Sequence, residues 1–333
     1  MLAPPGDLDI AELTAALANG WDISDPTFDY LAVGFGSHHW SVTDRDERRW
    51  FGTVDEHRHG ASSIADLRGA FATASALHRA AGLSFVVAPI ADSLGDIIRV
   101  LGGGAFTVAV TPWLDAAPLS ESGRVPAEDR SEVLRMLGQL HRATPHIGAS
   151  VPLPIDLSLP DKDDLRAALD DVDTPWASGP YGESTRALLS SDAARLADAL
   201  AGYDHLVECV VSESTPWVVT HGEPHAANLL RGADGALHLI DWDTVRLAPR
   251  ERDLGMVIES RTDLEPYRAE IGDVPISAAA LRLFRMRWDL GEIATYVSQF
   301  HAPHEDDPNT RESWQNLGDY LPVHADHLAP VSD

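Results

Sequence analysis

Apolar residues at Ile10, Leu13, Ala16 and Leu17 recur three and four positions apart, which predicts an opening helix over Asp9 to Leu17. The period then shortens. Tyr30-Leu31-Ala32-Val33 leads into Gly34-Phe35-Gly36-Ser37, His39-Trp40-Ser41-Val42 follows, and the charged turn Asp44-Arg45-Asp46-Glu47 precedes Arg49-Trp50-Phe51-Gly52-Thr53-Val54. Short apolar runs separated by tight polar turns predict antiparallel strands. Ser63 to Ala81 is rich in Ala and Leu, contains no Pro and is followed by Gly82, the pattern of a helix with a glycine cap. Two further strands are predicted at Phe85-Val86-Val87-Ala88 and Phe106-Thr107-Val108-Ala109-Val110, and Thr111-Pro112-Trp113-Leu114 breaks the series.

Beyond that break the pattern turns helical. Val133, Leu134, Leu137 and Leu140 mark a helix over Ser131 to Arg142. Pro152 to Pro180 is rich in Pro and Asp and reads as a loop-rich insertion with a short helix around Asp164 to Leu169, before a helix over Asp192 to Val211. Trp217-Val218-Val219-Thr220 reads as a short buried strand. Leu229-Leu230-Arg231 and Ala236-Leu237-His238-Leu239-Ile240 flank Gly232-Ala233-Asp234-Gly235 as a hairpin. A last helix is expected over Ser277 to Phe300, with Asp326 to Asp333 loose. The chain thus divides into a β-rich part, 1–112, and a larger helical part, 113–333.

Composition narrows the classes. With 333 residues, 44% of them hydrophobic, the chain is long enough for two lobes with a filled core. No apolar run approaches the roughly 18 residues that span a bilayer, and Met1-Leu2-Ala3-Pro4-Pro5-Gly6-Asp7 lacks the basic start of a leader, so a cytoplasmic location is expected. Cys209 is the sole cysteine, which excludes an internal disulfide. Asp plus Glu number 52 against 25 Lys plus Arg, a net charge of −27. That balance repels phosphate backbones and anionic membranes, so neither is expected as a partner, and it favours cationic ligands. Lys162 is the only lysine.

The densest chemistry lies in His221-Gly222-Glu223-Pro224-His225-Ala226-Ala227-Asn228, followed by the hairpin and Asp241-Trp242-Asp243. Phosphoryl transfer needs metal ions on the phosphate oxygens and a carboxylate to orient the attacking hydroxyl, and in kinase catalytic loops four residues separate that carboxylate from a metal-binding Asn. Glu223 and Asn228 have that separation. An amide oxygen and a carboxylate are hard ligands suited to Mg²⁺, which assigns Asn228 and Asp241 to the metal. His221 and His225, four apart, have the spacing of a zinc pair on a helix, but Pro224 between them speaks against a helix interior.

These residues resemble the aminoglycoside phosphotransferase family, whose catalytic loop reads HGDxxxxN and is followed by a metal-binding Asp. Leu137-Gly138-Gln139-Leu140-His141, Asp253-Leu254 and Arg285-Met286-Arg287-Trp288-Asp289-Leu290 extend the likeness. The resemblance implies an α+β, protein-kinase-like bilobal fold and transfer of a γ-phosphoryl group from ATP or GTP, with Mg²⁺, to a hydroxyl of a small, cationic antibiotic such as an aminoglycoside or a basic peptide. The outcome would be resistance or self-protection. By position, Glu223 is the base, His221 fixes the loop, and Gly34, Gly36, Ser37, Thr53 and Thr111 contact the nucleotide. Asp243 assists the metal or orients Arg246, Asp253 holds the loop, and Asp289 and Glu292, three apart on a helix, meet a cationic substrate.

Two departures stand out. Glu223 occupies the family's Asp position, and its extra methylene moves the carboxylate by roughly 1.5 Å, one C–C bond. The strand lysine that kinases use to hold the phosphates is missing, Thr53 standing in the matching place. Arg49 and Arg58 are the cations left to reach phosphate, with His38 and His39 beside the glycine loop. The alternative is a kinase-fold protein that binds or senses its ligand without catalysis.

Overall fold

Trp40, Val42, Val54, Val108 and Val110 alternate with polar neighbours, and that alternation buries one face of a five-stranded sheet. A computed structural model describes residues 1–57, 64–120 and 123–323 and divides them into two units. Arg58, His59, Ser63 and the tail from Asp326 lie outside the described residues.

The first unit comprises Met1–Pro154, Val218–Ala248 and Glu265–Gly272. It opens with α1 (Ile10–Trp21), whose first turn is capped by Asp9: its Oδ1 accepts from the Ala11 and Glu12 amides at 2.8 and 3.3 Å. Strands β1 (Thr27–Leu31), β2 (His38–Thr43), β3 (Arg49–Glu56), β4 (Arg99–Leu101) and β5 (Phe106–Pro112) form an antiparallel sheet in the order β1-β2-β3-β5-β4. Asp44 closes the β2–β3 turn by accepting from the Asp46 and Arg48 amides at 2.8 and 2.9 Å. Leu13 and Leu17 of α1 pack on the apolar face of this sheet.

Opposed residues on neighbouring strands share a face. His39, Thr53 and Ala109 therefore line up on the other side, beside Ser41, Phe51 and Thr111 and next to Asp55. The helix α2 (Ile64–Arg79) follows β3, within the span expected. Phe85–Ala88, expected as a strand, is instead a turn and a single bridge, with Val87 N–H donating to Leu239 at 3.1 Å. Pro89, which has no N–H, stops it from extending.

The remaining elements of this unit carry the segment from His221 to Asp243. Beyond β6 (Ala116–Pro118) and α3 (Ala127–Arg142), β7 (Val218–Thr220) pairs with β10 (Arg246–Ala248), and β6, β8 (Leu229–Gly232) and β9 (Leu237–Leu239) form a second small sheet. Gly235, at φ 84°, makes the hairpin turn that a side chain would strain. The helix α7 (Glu265–Ile271) lies against α3, where His141 Nδ1 meets Tyr267 Oη at 2.7 Å.

The second unit comprises Ile155–Trp217, Pro249–Leu264 and Asp273–Asp333. Its helices are α4 (Lys162–Asp170), α5 (Gly182–Ser212), α6 (Glu251–Val257), α8 (Ala278–His301) and α9 (Pro308–Tyr320), and the first three and α9 all contact α8. The α5 helix begins ten residues before the expected Asp192. Ser191 and Asp192 look like a cap, but Ser191 Oγ donates to Leu188 O at 2.7 Å and Asp192 accepts from the Val323 amide at 3.0 Å, so neither interrupts the helix. Lys162 opens α4 and pairs with Asp204. Among the described residues no helix is long and apolar enough to cross a membrane.

Candidate active site

The β7 strand delivers His221 into the core, where it is fully buried. Its Nδ1 accepts from the Glu223 amide at 3.1 Å. That places the proton on Nε2, which donates to the Ile240 carbonyl at 2.8 Å. The Trp242 ring meets the imidazole edge-on with centroids 4.7 Å apart, and Thr244 Oγ1 donates to the His221 carbonyl at 2.8 Å. His221 therefore ties the Glu223 turn to the residue before Asp241.

Asn228 N–H and C=O are both engaged, the amide with His225 O and the carbonyl with Ile240 N–H, each at 3.0 Å. The second bond extends the β8–β9 ladder and sets Asn228 next to Asp241 although thirteen residues separate them along the chain. Asn228 Nδ2 donates to the Glu223 carbonyl at 3.0 Å and meets His225 Nε2 at 3.3 Å. A carbonyl can only accept, so the bond from Nδ2 sets the amide orientation and distinguishes Oδ1 as the acceptor end. Asp241 has φ 66°, a left-handed conformation that Asp tolerates better than most residues. Strain of that kind concentrates at functional sites.

The charges are crowded. Burial pushes the Asp241 carboxyl well above its usual range, and the charges of Asp243, Glu223 and Asp55 push it further. Asp243 is raised too, mainly by burial, against the pull of its bond to Asp241 and the Arg246 charge. The Glu223 carboxylate lies 3.9 Å from His225 Nε2. Burial lowers the His225 pKa, so the imidazole does not supply a strong counter-charge. Carboxylates that repel one another suit a hard divalent cation, and Asn228 and Asp241 fit Mg²⁺ by donor type. Among the described residues no three His, Cys, Asp or Glu side chains already stand together as a cage. Mg²⁺ usually takes one or two carboxylates together with phosphates and water.

Gly34 and Gly36 have φ 69° and 90°, and a Cβ on Gly34 would lie 3.2 Å from His39 Nε2. Ser37 Oγ donates to Asp55 Oδ1 at 2.6 Å, and His39 Nδ1 meets Thr53 Oγ1 at 3.3 Å. Thr53 and Thr111 occupy the same sheet face. His38 is turned to the opposite face, buried, 3.1 Å from Tyr30 Oη. Arg49 stacks on Trp113 at 3.7 Å and donates to Ser41. Arg246 lies 4.0 Å from Asp66 of α2. Sequence reasoning passed over Asp55. Its two-residue offset from Thr53 places it on the same face, which was the available signal.

Asp289 and Glu292 belong to the second unit, on α8. Burial raises Asp289 to about 7, opposed by the Arg285 charge and assisted by Glu292. Glu292 is raised by burial as well, against a bond from Tyr296. Trp288 Nε1 donates to Tyr320 Oη at 3.2 Å, and the Tyr296 and Tyr320 rings lie 6.5 Å apart. Two half-buried carboxyls thus share a wall with three aromatic rings. Asp253, on α6, is fully buried in this unit.

The phosphotransferase enzyme family matches the chain over residues 28–283. This chain belongs to that family. It is 29% identical over 273 residues to Protein StrN of Streptomyces griseus, covering 77% of this chain and 79% of StrN. Its fold is similar to that of spectinomycin phosphotransferase APH(9)-Ia, solved with ADP and spectinomycin, at TM-score 0.73 and 16% identity over 94% of both chains. A microcompartment-associated aminopropanol kinase shares it at TM-score 0.63 and 16% identity, over 94% of this chain and 95% of the kinase. The fold is accordingly the kinase-like α+β fold of this family, with a β-rich N-terminal region and a helical C-terminal part.

Proposed function

We propose that the chain is a Mg²⁺-dependent O-phosphotransferase that moves the γ-phosphoryl group of ATP or GTP to a hydroxyl of a small, cationic natural product in the cytoplasm, protecting its host. The carrying observation is the bond from Ile240 N–H to the Asn228 carbonyl, which brings the backbone before Asp241 against Asn228 across the hairpin, with Glu223 tied to the same loop through His221. Nucleotide complexes of a protein with this fold support the choice of donor. The lobes would be 1–112 and 113–333.

Asn228 and Asp241 would hold the metal, which supplies charge neutralisation on the phosphate oxygens. Glu223 accepts the proton of the substrate hydroxyl as its oxygen bonds phosphorus and the nucleoside diphosphate leaves. Gly34, Gly36 and Ser37 cover the phosphates, Thr53 and Thr111 line the nucleotide's sheet face, and Asp243 keeps Arg246 in place. Asp289 and Glu292 receive the substrate's ammonium, and burial among aromatic rings makes that exchange favourable.

The test is a mass-shift screen of aminocyclitol, aminoglycoside and basic peptide antibiotics and of amino alcohols, with MgATP and MgGTP, beside Glu223→Ala and Asp241→Ala. A gain of one phosphate that both variants lose is expected. Equal turnover by the variants would overturn the site. One observation favours a second reading, a ligand-binding protein without catalysis: the β3 face holds no lysine and carries Asp55. Absence of any thermal shift with either nucleotide would favour it.

A further inference from the structure

Asp55 presents a carboxylate on the β3 face two residues beyond Thr53, the position that matches the kinase lysine. Its Oδ1 is held by Ser37 of the glycine loop at 2.6 Å, whereas Oδ2 is wholly buried and has no hydrogen-bond partner among the described residues. A buried unpaired carboxylate oxygen is costly. Protonation removes the charge without supplying a partner, because an O–H at that position would be equally orphaned. Asp55 also stands within the field of Asp243 and Asp241. Among the described residues no Lys or Arg of the sheet pairs with it: the opposed residue on β5 is Thr107, which bonds His57 at 2.9 Å, and Arg49 is committed to Trp113 and Ser41.

We propose that Asp55 is a metal-binding residue which, with Asp243, receives a divalent cation arriving with the nucleotide's phosphates, and so replaces the absent strand lysine. The charge arithmetic is the reason. A divalent ion between the Asp55 and Asp243 carboxylates brings their summed charge to about zero, which removes the repulsion this face would otherwise exert on the nucleotide's phosphates. The ion would complete its shell with phosphate and water oxygens, as Mg²⁺ usually does beside one or two carboxylates. Through Ser37 the same ion would order the glycine loop over the phosphates. The inference rests on the phosphotransferase reading of Asn228 and Asp241.

Equilibrium dialysis with Mn²⁺ and ADP, counting ions per chain, separates the two ideas. Wild type is expected to take two Mn²⁺ with ADP present. Asp55→Asn should lose one, or bind it at least tenfold more weakly, while keeping the ion that depends on Asp241. Asp55→Ser gives the same comparison if the amide perturbs Ser37. A variant at Asp55 with the wild-type count and affinity overturns the proposal, even if its melting temperature changes, because that would mark a structural carboxylate only. Asp241→Asn is the control: if it also binds like wild type, the phosphotransferase reading fails with it.

Discussion

His221 Nε2 donates a 2.8 Å hydrogen bond to the carbonyl of Ile240, and the residue after Ile240 is Asp241. One imidazole thus ties the start of the loop to the residue that precedes Asp241, the proposed metal ligand. Replacing it with leucine strands the Ile240 carbonyl and the Glu223 amide, each at a cost of about 1–3 kcal/mol. His221→Leu is expected to lower the urea midpoint and to weaken Mn²⁺ binding together. A variant as stable as wild type would show that these bonds are dispensable.

Glu223→Gln keeps the size of the side chain and removes its basicity. If Glu223 takes the hydroxyl proton, kcat drops by about 10²–10⁴ while nucleotide affinity changes little. Steady-state kinetics on an accepted substrate measures both, and kcat within threefold of wild type would exclude the role.

The Asp289 carboxyl gives a pH signature. Its folded-state pKa is raised to about 7 from an ordinary 3.8. Between those values the folded protein holds more protons than the unfolded one, so this group's contribution to stability falls as pH rises through the window. Asp289→Asn should match wild type in melting temperature near pH 4 and exceed it at pH 8. The same variant is expected to raise KM for a cationic substrate. A melting curve with an unchanged pH profile would show that the carboxyl is not buried.

Gly138 on α3 is a packing prediction. A Cβ there would sit 2.6 Å from Glu270 Cβ and 3.3 Å from the Tyr267 carbonyl, both on α7. Gly138→Ala is therefore expected to cost about 1–3 kcal/mol of stability, the usual range for overpacking, read as a lower denaturant midpoint. No loss would mean that the two helices separate readily.

Local pattern carried much of the fold. Strands β2, β3 and β5 were legible because their alternating residues match one buried face, and the β8–β9 hairpin because Gly232 to Gly235 punctuates it. Strands β6 and β10 were not, since three residues give no period to read. Helix α9 was missed although Asp307 and Pro308 are a cap and a first-turn proline. In the candidate site, motif spacing marked His221, Glu223, Asn228 and Asp241. Asp55 escaped because its meaning depends on the field of residues nearly two hundred positions away.

Lys162 is the chain's one lysine and lies on α4, paired with Asp204, while the sheet face of Thr53 and Asp55 has none. Chemical probes that report kinases by acylating a lysine next to a bound nucleotide's phosphates would find no amine on that strand. A survey of a proteome by such reagents would pass this protein by, however active it is, so its detection calls for a probe that reacts with carboxylates or that reads the phosphorylated product.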